Sequence, residues 1–504
     1  MNKNRLGLLF FLIALFAVIS VAQKKEYTNP ILAGFFPDPS ICRVGNDYYL
    51  VNSTFSYYPG IPVFQSKDLV NWKQIGNVMS SPDVMKLEGL NISEGMFAPA
   101  IRFHEGWFYV TCTFVGGGGN FIVKSKKAAG PYSDPVWIPE INGIDPSLFF
   151  DEDGKTYIVY NSIAPDNNEL YRGHRTIRIR EFNIEEMKVK GEEHILINGG
   201  TDLSKKPIWI EGPHIYKKNG YYYLLASEGG TREDHSVVIF RSKEIFGIYE
   251  SYKNNPILTH RNLDPKRPNP ITCTGHADFV QTQSGDWYSV FLGSRPYHPP
   301  EKNHFNTGRE TYLVPVDWSG EWPVMNNGKY EVEYHYPLPL KSKPLKGTIP
   351  QSGNFTLRDD FNKKKLDLNW IFLRTPKSKW YSLEMKKGFL TLNLRPENFS
   401  EKVNPSFIGR RQQHNFCSVT AKMKFNPISD NEKAGLLVFQ NEKHYYYLCK
   451  SISDDKTVIQ LLKPSDDNTN PLSIIASNEI KESNLTKDVF LKIETVGNFY
   501  NFYY

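Results

Sequence analysis

Five times along the chain a polar tight turn hands over to an aromatic-rich apolar run. The runs open at Asn46-Asp47-Tyr48-Tyr49, Glu105-Gly106-Trp107-Phe108, Asp153-Gly154-Lys155-Thr156, Asn219-Gly220-Tyr221-Tyr222 and Ser284-Gly285-Asp286-Trp287. Gly beside Asn or Asp supplies the positive φ that a two-residue turn needs, so each site predicts a β-hairpin. The residues ahead of each hairpin also align: Pro37-Asp38-Pro39-Ser40, Phe97-Ala98-Pro99-Ala100, Ile144-Asp145-Pro146-Ser147, Glu211-Gly212-Pro213-His214 and Gly275-His276-Ala277-Asp278. Their spacing is a period of about 60 residues, room for a four-stranded unit with its loops. No helical pattern of useful length lies between them. These units predict an all-β fold whose first domain, residues 24–335, is a five-bladed β-propeller.

In a propeller the innermost strand of each blade starts beside the central channel, so the five anchors should converge on one end of the axis. Three carry carboxylates, Asp38, Asp145 and Glu211, and a fourth carries His276. Each acid sits beside Pro or Gly among apolar residues, a partly buried setting. Burying unpaired carboxylates is costly, so such a cluster points to chemistry. Two carboxyl groups flanking a bond equip a site for glycoside hydrolysis, one protonated to donate to the leaving oxygen and the other ionised. A third nearby raises the pKa of the acid by like-charge repulsion. Glu has the longer reach and the higher intrinsic pKa, so Glu211 is the expected general acid. Asp38 is the expected base that activates water, and Asp145 is expected to tune Glu211 and orient the sugar. Phe55, Tyr57 and Tyr58 supply rings to wall a small pocket around a sugar's apolar faces. Trp209 stands two residues before Glu211.

The repeat ends after Trp318-Ser319-Gly320-Glu321-Trp322. Residues 336–354, rich in Pro, Lys and Ser, read as a linker. New alternating runs at 389–394, 418–423 and 435–439 predict a lectin-like β-sandwich over 355–504. The chain stops within the aromatic run 499–504, which predicts a sandwich without its last strands. The length of 504 residues would suggest about three domains; the repeat merges the first two into one.

Composition adds less. Hydrophobic residues at 40% and charged residues at 23% argue for a globular chain. A net charge of +6 without long basic runs argues against a nucleic-acid partner. Lys3, Arg5, the apolar run 6–21 and the small residues Ser20 and Ala22 predict a signal peptide over 1–22, hence a secreted or periplasmic protein free of the membrane after cleavage. Cys42, Cys112, Cys273, Cys417 and Cys449 lack paired spacing and read as buried free thiols.

Tyr27-Thr28-Asn29-Pro30, Gly34-Phe35-Phe36-Pro37-Asp38-Pro39-Ser40, Gly143-Ile144-Asp145-Pro146-Ser147 and Ile210-Glu211-Gly212-Pro213-His214, in this order, resemble the motifs of glycoside hydrolase family 43. The similarity spans roughly residues 26–500 and is strongest to β-xylosidases and α-L-arabinofuranosidases with a C-terminal β-sandwich (concanavalin A-like). The resemblance implies an exo-acting, inverting hydrolase with Asp38 as base, Asp145 as pKa modulator and Glu211 as acid. Its implied substrate is a plant cell-wall oligosaccharide or polysaccharide bearing terminal xylose or arabinose. It also implies that His276 lies under the sugar in the channel, where in many relatives it helps, through water, to hold a calcium ion. No cofactor is otherwise required. Arg309 resembles the family's substrate-contacting arginine, against the plainer reading of an ion pair with Glu310. Phe97 stands where family xylosidases often carry Trp, a change that would reshape the pocket around the sugar. Residues 167–175 read as an outer-subsite wall or a solvated loop. A non-catalytic carbohydrate-binding propeller is the competing reading, and binding alone does not need the acid triad.

Overall fold

The computed structural model describes residues 26–297, 304–341, 343–465, 472–481 and 488–504. The expected signal peptide, residues 1–22, lies outside the described residues.

The described chain is all-β apart from three short 3-10 turns. Residues 40–325 form five consecutive antiparallel sheets. The first is Ser40–Val44, Asp47–Val51, Gly60–Ser66 and Lys73–Met79. The second is Ala100–His104, Trp107–Val115, Gly119–Ser125 and Val136–Trp137, with Gly95–Met96 added beside its long strand. The third is Gly143–Phe150, Thr156–Ile163, Arg175–Asn183 and Lys188–Asn198. The fourth is Glu211–Lys218, Tyr221–Glu228, Ser236–Ser242 and Glu250–Ser251, with Leu258–Thr259 on its third strand. The fifth is Thr272–Gln281, Trp287–Ser294, Arg309–Asp317 and Val324–Met325. All five predicted hairpins join the first and second main strands of their sheets.

The first strands of the five sheets touch in a closed order, each beside the next and the fifth beside the first. The aromatic runs explain the seams. Phe108 and Phe121 bury between the first and second sheets with the half-buried Tyr49 packed on Phe108, and Tyr109, Ile158 and Tyr160 bury between the second and third. Tyr157, Leu224 and Phe240 bury between the third and fourth sheets, and Tyr223, Phe279 and Phe291 help to fill the space around the fifth. At about 25 cal/mol per Å² of buried apolar surface, these ring-filled seams are the main force holding neighbouring sheets together.

A polar hub pins the ring at its centre. Asp278 on the fifth sheet pairs with Arg102 on the second at 2.9 Å and accepts a hydrogen bond from Ser40 Oγ on the first at 2.7 Å. It also accepts one from the Tyr216 hydroxyl on the fourth. Arg102 donates in turn toward Ser147 Oγ on the third sheet and His214 Nδ1 on the fourth. One ion pair thus reaches all five sheets. Arg102 and its partners hold Asp278 far below the usual carboxylate range, against burial that would raise it.

The chain entry closes the ring. Glu26–Thr28 pairs with His335–Pro337, and Leu32 bridges Thr311 on the fifth sheet, so one segment ties the fifth sheet to the first. Much of the predicted linker stays on this body: Ala33 N–H donates to the Gln351 carbonyl at 2.8 Å, and Ser352 Oγ to the Thr28 carbonyl.

Beyond it, Ala434–Asn441, His444–Ser453, Lys456–Pro464 and Leu472–Glu479 form one antiparallel sheet, and Phe416–Met423, Val489–Val496 and Phe499–Tyr503 another. Leu448, Ile459 and Leu491 bury between them. This domain is stitched to the first. Tyr57–Tyr58 pairs with Ile371–Leu373, which pairs with Ile408–Gly409. The Tyr58 ring lies against Phe372 and its hydroxyl donates to the Ser80 carbonyl, so it packs at the domain junction and does not wall the acid cluster as expected; the backbone of both tyrosines is committed to that junction. The fully buried Arg374 donates to the Leu90 carbonyl of the first domain and pairs with Glu442 of the second. Four of the five cysteines are buried as expected, Cys417 is half-buried, and all are free.

Candidate active site

Asp38 lies two residues before the first strand of the first sheet, Asp145 is the third residue of the first strand of the third and Glu211 opens that of the fourth; all three are buried, at 4%, 6% and 8% exposure. Local backbone conformation aims them. Asp38, Asp145 and His276 all occupy the left-handed region, at φ of 52°, 56° and 51°. Non-glycine residues pay to sit there, and such strain concentrates at functional sites. In the third, fourth and fifth sheets the pairing register also slips just after the anchor, at Ile144/Ser147, Glu211/His214 and Gly275/Asp278. A bulge of this kind turns a side chain out of the regular alternation.

The sequence-predicted residues are connected. Asp38 accepts a hydrogen bond from Ser53 Oγ at 2.6 Å and another from Arg309 at 2.9 Å. Glu310 turns away from its neighbour and pairs with Arg295, which removes the plainer reading of Arg309. Asp145 accepts the Gly212 N–H at 3.0 Å, which places it against the backbone that follows Glu211. Gly212 has φ of +58°, and a Cβ there would lie 3.0 Å from the His276 ring, so Gly212 lets His276 close under the acids. The His276 N–H is fixed by Ser227 Oγ at 2.6 Å. Phe55 meets Phe97 edge-on at 5.3 Å and stacks with Phe35 at 5.7 Å, and the Arg309 guanidinium lies 5.5 Å from the Phe55 ring.

The three carboxyl groups experience different fields. For Asp38, burial alone would raise the pKa, but Arg309, then His276 and the Ser53 hydrogen bond, hold it below the ordinary value. Asp145 is pushed up to about 6, first by burial and then by the Asp38 charge, with His276 opposing. Glu211 is pushed well above the ordinary value by burial, then by Asp145 and Asp38. No hydrogen bond to the Glu211 carboxyl stabilises its anion among the described residues. These fields favour the ionised form of Asp38 and the protonated form of Glu211, the pairing that glycoside hydrolysis requires.

A calcium site meets a poor donor set. Among the described residues no group of three or more His, Cys, Asp or Glu side chains could hold a metal ion. Calcium takes six to eight oxygen ligands, and an imidazole supplies none. Side chains of these types therefore form no calcium cage among the described residues, and an ion at His276 would depend on water for its ligands.

Several parts of the site were not singled out from sequence: Ser53, Phe35 and the hub pair Arg102 and Asp278. Arg411 belongs with them. It reaches from the second domain, donates to the Phe35 carbonyl at 2.7 Å and lies 4.5 Å from the Phe36 ring. Its distance along the chain from these partners hides the contact from any local pattern.

Comparison with known proteins places both domains in described families. The family model for glycosyl hydrolases family 43 matches residues 27–323, and that for the beta xylosidase C-terminal concanavalin A-like domain matches residues 358–504. A protein of Butyrivibrio fibrisolvens named xylosidase/arabinosidase is 43% identical over 430 residues, 85% of this chain and 80% of that one. A non-reducing end alpha-L-arabinofuranosidase of Bacteroides ovatus is 39% identical over 509 residues, 100% of this chain and 89% of that one. The crystal structure of a GH43_12 protein retrieved from a capybara gut metagenome superposes with a TM-score of 0.87 at 40% identity, covering 96% of this chain and 90% of that one.

Proposed function

The chain belongs to glycosyl hydrolase family 43, and from that membership we propose that it is an exo-acting, inverting glycosidase releasing terminal xylose or arabinose from plant hemicellulose or its oligosaccharides. The observation that carries this reading is the buried cluster of Asp38, Asp145 and Glu211, in which Arg309 and Ser53 bond Asp38 while burial and two neighbouring acids favour the protonated form of Glu211. Asp38, ionised beside Arg309, takes a proton from water as the water oxygen bonds to the anomeric carbon. Glu211, kept protonated by burial and by two neighbouring acids, gives its proton to the leaving oxygen as the glycosidic bond breaks. Water enters opposite the leaving group, so the anomeric configuration inverts. Asp145 anchors to the Gly212 N–H and keeps Glu211 protonated between turnovers. Phe55, Phe97, His276 and Arg309 form the walls and floor that hold the sugar. A purely sugar-binding role would not call for this graded set of carboxyl groups.

Five sheets with first strands in a closed ring support reading the first domain as a five-bladed propeller, its boundary near residue 335, followed by the sandwich from 355. The basic and apolar start of the chain supports export to the periplasm or the medium. Any calcium at His276 would be held largely by water.

The direct test is hydrolysis of aryl β-xyloside and aryl α-L-arabinofuranoside by the wild type, Asp38→Ala and Glu211→Ala. The wild type should cleave one or both substrates and each variant should lose at least about a hundredfold in rate. Normal turnover by both variants would refute the assignment.

A further inference from the structure

Trp209 is 42% exposed, two residues before the buried Glu211, while Ile210 between them is fully buried in the core. Its N–H donates to the Gly173 carbonyl at 2.9 Å, and its φ of 52° turns the side chain out of the line that Ile210 and Glu211 continue. Two glycines seat the indole. A Cβ at Gly173 would lie 3.3 Å from indole Nε1, and one at Gly230 would lie 3.5 Å from the ring carbon Cε3. Both glycines hold positive φ, at +87° and +71°, and their bare backbones leave room for Trp209 and its neighbour Ile208 to lie close over them. Trp137, the other markedly exposed tryptophan, meets the rings of Phe114 and Phe121, whereas Trp209 has no ring or cation partner among the described residues.

The three segments that frame it share one end of the fold. Residues 164–174 follow the second strand of the third sheet, 199–210 cross from the third sheet to the fourth, and 228–235 follow the second strand of the fourth. In antiparallel sheets these positions lie at the end where Asp145 and Glu211 begin their strands. The Tyr171 hydroxyl clamps the frame by donating to the Pro207 carbonyl at 2.7 Å, with the Gly199 carbonyl also at 3.0 Å, and Thr201 Oγ1 donates to Glu228 at 2.8 Å. Ile208 is exposed beside it over the same two glycines, so indole and isoleucine make one exposed apolar patch, the form of a binding surface.

We propose that the exposed face of Trp209 is the platform for the sugar unit on the leaving-group side of the scissile bond. This rests on the assignment of Glu211 as acid. The acid must stand beside the leaving oxygen, so the sugar attached to that oxygen lies on the Glu211 side of the pocket, where Trp209 is the exposed ring. The occupant is a pyranose of a neutral oligosaccharide, whose apolar face stacks on the indole.

The test compares wild type, Trp209→Leu and Trp209→Phe on xylotriose or arabinofuranosyl-xylotriose, whichever the wild type cleaves. Leucine keeps apolar bulk over the two glycines but removes the flat face. Trp209→Leu should raise KM about tenfold with kcat changed by less than about twofold, and Trp209→Phe should recover most of the loss. An unchanged KM in Trp209→Leu overturns the proposal. So does a fall in kcat accompanied by a lower thermal midpoint, which marks a structural role for the strand entry. Failure of the wild type to cleave any aryl glycoside or oligosaccharide would instead refute the glycosidase reading itself.

Discussion

Arg309 donates a hydrogen bond to Asp38 at 2.9 Å, joining the third strand of the fifth sheet to the approach to the first. The pair closes the ring of sheets and at the same time sets the charge of the expected base. Without Arg309, the burial of Asp38 would act unopposed by its strongest partner.

Arg309→Gln should therefore raise the pKa of Asp38. The acidic limb of the kcat/KM profile, which reports the ionised base, should move to higher pH by about one to two units. A pH–rate profile on an aryl glycoside checks this; an unmoved acidic limb would mean that Arg309 does not set the base.

Asp145→Asn should act on the other limb. Removing a negative neighbour makes deprotonation of Glu211 easier, so the alkaline limb, where the acid is lost, should move to lower pH. The rate at the optimum should fall by about tenfold or more as the proton donor weakens.

The hub makes a stability prediction. Asp278→Asn leaves the Arg102 charge buried without its counter-ion and should cost about 3–5 kcal/mol at pH 7, read by urea unfolding. The pKa of Asp278 is depressed in the folded state, so its contribution is present above the unfolded value of about 4 and is lost as pH falls toward the depressed folded value. The difference between wild type and variant should therefore narrow in acid.

The domain junction makes another. Arg374→Met removes the donor to the Leu90, Glu401 and Val403 carbonyls and leaves the Glu442 carboxylate without its partner. Thermal unfolding should start at lower temperature, by an amount matching a loss of about 3 kcal/mol or more, and split into separate domain transitions. A single unshifted transition would contradict a role for Arg374 in coupling the domains.

Much of this arrangement is legible along the chain, because hairpins and anchors are local. The polar turn and aromatic run mark each first hairpin, and aligning what precedes them brings Asp38, Asp145, Glu211 and His276 to equivalent positions. Long-range pairing is not legible in the same way. Tyr57 and Tyr58 look like pocket rings from composition, yet their backbone is taken by Ile371–Leu373, more than 300 residues on. Arg102 lies in an ordinary strand and gains meaning only when Asp278 is brought beside it. The left-handed backbone at Asp38 and Asp145 is uncommon outside glycine, although Asp tolerates it better than most residues, and nothing in the local sequence marks these two aspartates for it.

The central claim is that Asp38 and Glu211 act from opposite sides of one sugar in a single displacement. Proton NMR of the first product, recorded within the opening turnovers and before mutarotation, tests it most directly. A single displacement gives a sugar whose anomeric configuration is opposite to that of the substrate; a first product that keeps the substrate's configuration would rule that displacement out.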